Sequence, residues 1–145
     1  MGNTKSIGDI TEAVVLAELL KAGFPVLLPF GDNQRYDMVV EAGRRFLRVQ
    51  CKTASVCGEG DACIRFNARS TNPTRPRGGS YRNEADLFAA YSPDTKQVYV
   101  LPVDEVGECE VWLRLIPTRN NQQRKVRLAE NYTLAAWAAR TAARP

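Results

Sequence analysis

The sequence contains no histidine, and this absence excludes more kinds of active site than any other feature of its composition. Without imidazole the chain cannot form a Ser-His-Asp or Cys-His nucleophile, an HNH-type nuclease site, a His-Glu-x-x-His protease site, or a zinc finger of paired cysteines and histidines. Any hydrolytic chemistry must therefore depend on carboxylates, amides, lysine and a hard metal ion held by oxygen ligands.

Long apolar runs and paired cysteine motifs are also missing. No run approaches the roughly 20 apolar residues of a membrane helix, and no signal-peptide pattern is present, so we expect a cytoplasmic protein without a membrane partner. The four cysteines form no Cys-x-x-Cys pair, so a zinc site is not expected. Cys51 lies in an apolar strand pattern and is expected to be a small buried hydrophobe.

The chain has the length and hydrophobic content of one folded domain. Its 145 residues are 44% hydrophobic, which is enough for a core of ordinary size. We expect a single domain with its core over about residues 6–115. A basic segment and a helix are expected to follow over residues 116–145.

Basic residues are unevenly distributed along the chain. Residues 1–60 carry seven basic and seven acidic side chains, so the net charge of +4 arises from the remainder. Two later stretches, residues 62–83 and 111–129, contain no acid, and most of their charges are arginines. Arginine suits forked recognition of phosphate and guanine. Two solvated loops are the alternative interpretation.

One acidic residue on the predicted first helix lies on its apolar side. Ser6, with an acid three positions later, predicts the start of a helix that runs to about Lys21 and ends before Gly23. The helical period places Thr11 with the polar face, whereas Glu12 lies among apolar residues. A carboxylate there needs a partner. The alternative interpretation is a structural acid that pairs with a core arginine or lies at the rim of the core.

Strand patterns occupy most of the remaining chain. Strands are predicted over residues 24–30, 36–41, 45–54, 62–67, 87–91, 97–101 and 111–115, with a terminal helix over residues 133–143. Trp137 is the expected anchor of that helix. A helix, a series of strands and a second helix indicate an α/β (α+β) fold with a mixed central sheet flanked by helices.

A predicted hairpin places an acid close to an amide and a lysine. If its turn is centred on Gly43, Asp37 lies opposite Val49 or Gln50 on the next strand. Alternate residues of a strand share a face, so Gln50 and Lys52 point the same way. An acid and a backbone carbonyl can hold Mg²⁺, and a lysine can orient water or stabilise negative charge. This set matches the requirements of metal-dependent phosphodiester cleavage.

Asp37, the run Gln50-Cys51-Lys52 and the preceding helix acid Glu12 resemble the PD-(D/E)XK nuclease superfamily, with its restriction-endonuclease-like core. Within it the chain is similar to the group I intron-encoded homing endonucleases. The similar stretches are residues 8–13, 28–33, 35–37, 48–54, 86–91, 120–122 and 131–132.

The resemblance implies a role for each of these residues. Asp37 would be the main metal ligand, Lys52 the water-positioning lysine and Glu12 the helix acid. Gln50 would occupy the place of the usual second acid, so the implied ligands are Asp37, Glu12, Gln50 and the backbone carbonyl of Cys51. An amide binds Mg²⁺ less strongly than a carboxylate, but the homing subgroup is similar in using glutamine here.

The resemblance further implies a site-specific, Mg²⁺-dependent DNA endonuclease that makes a double-strand break in an intronless allele. Mn²⁺ is expected to substitute for Mg²⁺, and no nucleotide cofactor is expected. A homo-oligomer, tetramer or dimer, is expected because a small protomer reads only a few base pairs. The alternatives are a restriction-type or Holliday-junction-resolving nuclease on the same core, and a catalytically inactive DNA-binding module, which Gln50 alone supports.

A nuclease must hold a polyanion, so the basic stretches become candidate DNA contacts. The candidates are Gln34, Arg35, Arg69, Arg75, Arg77, Arg82, Arg119 and Arg124. The run Asn120-Asn121-Gln122 could bind adenine edges, cap a turn or stabilise a subunit contact, and the sequence does not choose among these.

Overall fold

The computed structural model describes residues 3–31, 33–70, 80–117 and 126–142. The predicted α/β (α+β) architecture, with a mixed central sheet and helices, is confirmed. In chain order the helices and strands are α1 (Thr4–Lys21), β1 (Val26–Leu27), β2 (Met38–Ala42), β3 (Arg45–Thr53), β4 (Ser55–Cys57), β5 (Cys63–Asn67), β6 (Leu87–Ser92), β7 (Gln97–Pro102), β8 (Glu110–Arg114) and α2 (Leu134–Ala142).

The central sheet has the strand order β1-β2-β3-β6-β7. Only the β3–β6 pair is parallel, and the other pairs are antiparallel. The turn at Gly43, with a φ of 65°, sets the β2–β3 register so that Met38 lies opposite Val49. One residue before β2, the backbone N–H of Asp37 donates to the carbonyl of Val49 at 2.8 Å. The hairpin therefore places Asp37 beside the middle of β3, as its spacing predicts.

A second sheet of three strands, β4-β5-β8, lies outside the sequence-based prediction. The pattern predicts β5 and β8 as strands but contains no sign that they pair with each other rather than with the central sheet. It also omits β4, since the predicted strand over residues 45–54 ends before Ser55. Strand pairing between segments so far apart in the chain depends on tertiary packing, which local periodicity does not record.

Two hydrophobic clusters cover the two faces of the central sheet. One face packs against the helices, where Val15 and Trp137 meet Val49 and Cys51. The prediction that Cys51 is a small buried hydrophobe is confirmed, since it is 8% exposed. On the opposite face, residues such as Phe88 of β6 pack against the three-stranded sheet. Trp137 is buried, and its ring centroid lies 4.9 Å from that of Phe24 with the planes tilted by 49°, which confirms it as the anchor of α2.

Helix α1 differs from its prediction at two positions. It begins at Thr4 rather than after Ser6, because the side chain of Asn3 caps it by accepting the N–H of Ser6 at 2.8 Å. Thr11 is 2% exposed rather than part of the polar face. Its burial is tolerated because its hydroxyl lies 2.6 Å from the hydroxyl of Thr53 on β3 and a bonded hydroxyl can be buried at little cost.

Strand β1 is shorter than predicted, with two residues instead of seven. Pro25 and Pro29 lie on either side of it, and proline has no N–H to donate to a strand ladder. The pairing with β2 is therefore confined to Val26 and Leu27. No helix among the described residues is long and apolar enough to span a lipid bilayer.

Candidate active site

The backbone of β3 fixes the position of the Asp37 side chain. Its Oδ2 atom accepts the backbone N–H of Cys51 at 2.8 Å, while its own N–H is bonded to Val49. Asp37 is thereby attached to β3 at two points. A charge-assisted bond of this kind limits the rotation of the carboxylate.

Glu12 on α1 meets Asp37 from the helix side of the sheet. Its pKa is raised from 4.5 to about 7, first by burial, then by a hydrogen bond to Asp37, and further by the charges of Asp37 and Asp9. Glu12 therefore keeps its proton to a higher pH than an ordinary glutamate, and its ionised form is repelled by the neighbouring carboxylate. Binding of a cation between two such carboxylates is favourable, because the positive charge reduces their repulsion.

Lys52 is the third charged group of this cluster. Its pKa is lowered to about 8, mainly because the side chain is partly buried. The negative charge of Asp37 raises this pKa, and the positive charge of Arg35 lowers it further. Its Nζ atom donates to the backbone carbonyl of Arg69 at 2.9 Å and lies 3.5 Å from the hydroxyl of Tyr81. The ammonium is thus held by groups on the side of the second sheet, near enough to Asp37 for the charge of that residue to act on it.

The two remaining predicted ligands are neighbours on β3. Gln50 is half-buried, and its Nε2 atom donates to the backbone carbonyl of Cys51 at 3.3 Å. The carbonyl and the amide therefore lie close together. The structure brings Glu12 and Asp37 into contact and places Lys52 and Gln50 on the adjacent strand.

The donor set of this cluster suits a hard cation. It consists of two carboxylates, an amide and a peptide carbonyl, and Mg²⁺ is usually bound through one or two carboxylates with water or phosphate completing its shell. Within the described ranges, no three Asp, Glu or Cys side chains lie close enough together to hold a metal ion. The oxygen atoms of Asp37, Glu12, Gln50 and the Cys51 carbonyl are nevertheless of the kind that Mg²⁺ prefers, and their role as its ligands stays a prediction.

A buried tyrosine, which the sequence patterns do not single out, lies beside this cluster. Tyr81 is 6% exposed and its ring centroid lies 4.7 Å from Lys52 Nζ and 4.5 Å from Arg35 Cζ. Arg35, a candidate DNA contact, also pairs with Glu84 at 2.9 Å and donates to the carbonyl of Ser80 at 3.0 Å. The sequence offers one signal for Tyr81: it is an aromatic residue near the end of the arginine-rich stretch over residues 62–83.

The other candidate DNA contacts are distributed around the cluster or lie outside the described residues. Gln34, Arg69 and Arg82 are exposed, and Arg82 pairs with Glu108 at 3.1 Å. The candidates outside the described residues are Arg75, Arg77, Arg119 and Arg124, together with the run Asn120-Asn121-Gln122.

Comparison with known proteins identifies the family and the fold of the chain. The sequence profile of the PD-(D/E)XK endonuclease family matches residues 2–135. The fold is similar to that of the bacterial homing endonuclease I-Ssp6803I, with a TM-score of 0.73 and 31% identity over 97% of this chain and 95% of that one. Hjc, a Holliday junction resolvase of Archaeoglobus fulgidus, aligns with a TM-score of 0.45 and 22% identity over 74% of this chain and 83% of its own. No curated protein matches the sequence significantly.

The family profile and the likeness to I-Ssp6803I confirm the resemblance inferred from the sequence. The chain belongs to the PD-(D/E)XK endonuclease family and is a DNA endonuclease.

Proposed function

We propose that this endonuclease is of the homing type: a site-specific, Mg²⁺-dependent enzyme that makes a double-strand break in an allele lacking the intron. The observation that carries the proposal is the contact between Glu12 and Asp37, together with a half-buried lysine, Lys52, on which the charge of Asp37 acts. The likeness to I-Ssp6803I over almost the full length of both chains supports the homing assignment.

In this proposal Asp37 and Glu12 are the charged metal ligands, assisted by Gln50 and the carbonyl of Cys51. Mg²⁺, when bound, supplies Lewis-acid stabilisation of charge on the scissile phosphate. The residues of the protein position the reacting groups. The Cys51 N–H fixes the Asp37 carboxylate. Lys52 orients the attacking water and stabilises the negative charge that develops on the phosphate. The pKa of Lys52, about 8, leaves it mostly charged at neutral pH for that role.

Double-stranded DNA is the proposed partner, bound by a homo-oligomer that is a tetramer or a dimer. A long target needs several protomers, and protein symmetry is then reflected in the DNA site. Exposed apolar side chains support self-association: Phe30 is fully exposed and Leu28 and Phe46 are 64% and 59% exposed. Sedimentation of the purified protein, with Phe30→Ser and Phe46→Ser as variants, tests this surface.

The function is tested by cleavage of a library of plasmids that carry fragments of bacterial genomic DNA, in the presence of Mg²⁺. We expect cleavage of one long, specific duplex sequence, identified by sequencing the new ends. Asp37→Ala and Lys52→Ala should each reduce the rate by at least about 10²-fold, because each removes a group that acts on the reacting phosphate.

The matched controls change the same residue types at exposed positions away from the cluster: Asp94→Ala in the β6–β7 turn and Lys5→Ala in the first turn of α1. Both should retain wild-type cleavage. Cleavage of short palindromes would favour a restriction-type enzyme, and cleavage of four-way junctions alone would favour a resolvase. Salt-sensitive binding of duplex with no cleavage would favour an inactive DNA-binding module.

A further inference from the structure

The ring of Tyr81 has a fixed position in the protein. Its edge meets Phe88, with ring centroids 5.7 Å apart and planes at 89°, and Phe88 is 1% exposed in the core between the two sheets. The carbonyl of Tyr81 accepts the N–H groups of Glu84 and Ala85, each at 3.0 Å. Because side chain and backbone are both anchored, the ring is a rigid surface rather than an adjustable one.

Two cationic side chains lie against this ring. Lys52 approaches from β3 and Arg35 from the segment before β2, each within 5 Å of the ring centroid. The electron-rich face of an aromatic ring attracts cations, and this attraction offsets the repulsion between the two positive groups. The hydroxyl of Tyr81, 3.5 Å from Lys52 Nζ, adds a polar contact at the same end of the lysine.

The neighbouring contacts hold Arg35 in place on the same segment. Arg35 pairs with Glu84 and donates to the carbonyl of Ser80, so its partners lie on both sides of Tyr81 in the chain. A free lysine side chain has four rotatable bonds and holds no single geometry. Here the ammonium of Lys52 contacts both the Tyr81 hydroxyl and the Arg69 carbonyl. These two contacts restrict it to one position, in which the charge of Asp37 acts on it.

We propose that Tyr81 is a positioning residue for DNA cleavage, whose ring and hydroxyl hold the ammonium of Lys52 in its working position and keep Arg35 beside it. This inference rests on the proposed function of Lys52 as the lysine that acts on the reacting phosphate. Loss of the ring allows Lys52 to sample other rotamers. Arg35, a candidate DNA contact, keeps its bonds to Glu84 and to the carbonyl of Ser80 when the ring is lost. The chemical step therefore slows while DNA binds as before.

The test compares Tyr81→Leu and Tyr81→Phe with Tyr99→Leu. Tyr99 is a buried tyrosine of the same core cluster, so Tyr99→Leu reproduces the loss of a core ring. Single-turnover cleavage and DNA affinity are measured on the duplex identified by the plasmid library. We expect Tyr81→Leu to slow cleavage about tenfold or more relative to Tyr99→Leu, with DNA affinity unchanged within about twofold. Tyr81→Phe, which keeps the ring, should recover most of the rate.

An NMR measurement provides a readout that does not depend on activity. The ε-methylene signal of Lys52, assigned with Lys52→Arg, should show a ring-current shift that persists in Tyr81→Phe and disappears in Tyr81→Leu. Equal cleavage rates in Tyr81→Leu and Tyr99→Leu would overturn the inference while leaving the proposed function intact. If the wild-type protein cleaves no DNA, the proposed function fails. A Lys52 signal without a ring-current shift would overturn the inference by itself, because it would show that Lys52 does not contact the Tyr81 ring.

Discussion

The hydroxyl groups of Thr11 on α1 and Thr53 on β3 lie 2.6 Å apart and form a direct hydrogen bond between the helix and the central sheet. Thr11 precedes Glu12, and Thr53 follows Lys52. The bond therefore joins the two elements at the point where each carries a charged group of the candidate active site. We infer that it sets the distance between Glu12 and β3.

Replacing Thr11 by valine should destabilise the protein while keeping its shape. The change leaves the hydroxyl of Thr53 without its partner, which costs about 1–3 kcal/mol of the free energy of unfolding. Urea unfolding of Thr11→Val, Thr53→Val and the double variant measures this, and the double variant should lose less than the sum of the two. Thr4→Val, at an exposed position of the same helix, is the control. A loss in Thr11→Val no larger than in Thr4→Val would contradict the prediction.

The acid pair predicts an unusual dependence of stability on pH in metal-free protein. Glu12 has a pKa of about 7 in the folded state against an ordinary value of 4.5. Between these values the folded state keeps a proton that the unfolded state loses, so Glu12 lowers stability as the pH rises through this range. Solvent screening at this half-exposed group keeps the effect to the order of 1 kcal/mol.

Unfolding in EDTA at about pH 5 and about pH 8 measures this dependence. The variant Glu12→Gln removes the titrating group, so it should lose less stability than the wild-type protein between the two pH values. Added Mg²⁺ should raise the melting temperature of the wild-type protein at the higher pH and that of Glu12→Gln much less. Identical pH profiles for the two proteins would show that the pKa of Glu12 is not raised in the folded state.

Gln50→Glu should keep cleavage activity, with at most a modest change in the Mg²⁺ requirement. The substitution restores the acid that is usual in the superfamily, although it removes the amide N–H that donates to the Cys51 carbonyl. A carboxylate binds Mg²⁺ more strongly than an amide. Titration of the cleavage rate with Mg²⁺ measures the change, and Gln50→Leu, which has no ligand atom, should be impaired. Complete loss of activity in Gln50→Glu would show that this position is not a tolerant ligand position.

The arginines proposed to contact DNA should determine how binding depends on salt. Each phosphate contact contributes about 0.9 to the slope of log affinity against log salt concentration for duplex DNA. The double variant Arg119→Gln, Arg124→Gln should reduce this slope by up to about 2. Arg44→Gln, at the exposed β2–β3 turn, is the control and should leave it unchanged. An unaltered slope in the double variant would place the phosphate contacts elsewhere.

Local sequence pattern was sufficient for much of the site. The turn residues at Gly43 predict the register that brings Asp37 to the middle of β3, and the two-residue strand period predicts that Gln50 and Lys52 share a face. The helical period likewise separates Glu12 from the polar face of α1, and the side chain is half-buried, although the same period wrongly assigns Thr11 to that face. These features depend on residues that are close in the chain, where backbone geometry alone relates one side chain to the next.

Tertiary structure decided the features that join distant segments. Thr11 was predicted to be exposed because its helical wheel cannot show that Thr53 supplies a partner 42 residues away. The second sheet arises from the pairing of β5 with β8, and Tyr81 reaches Lys52 only because Phe88 and the turn before β6 hold its ring there. Burial of a polar group or a ring depends on what packs against it, and that partner is absent from any local pattern.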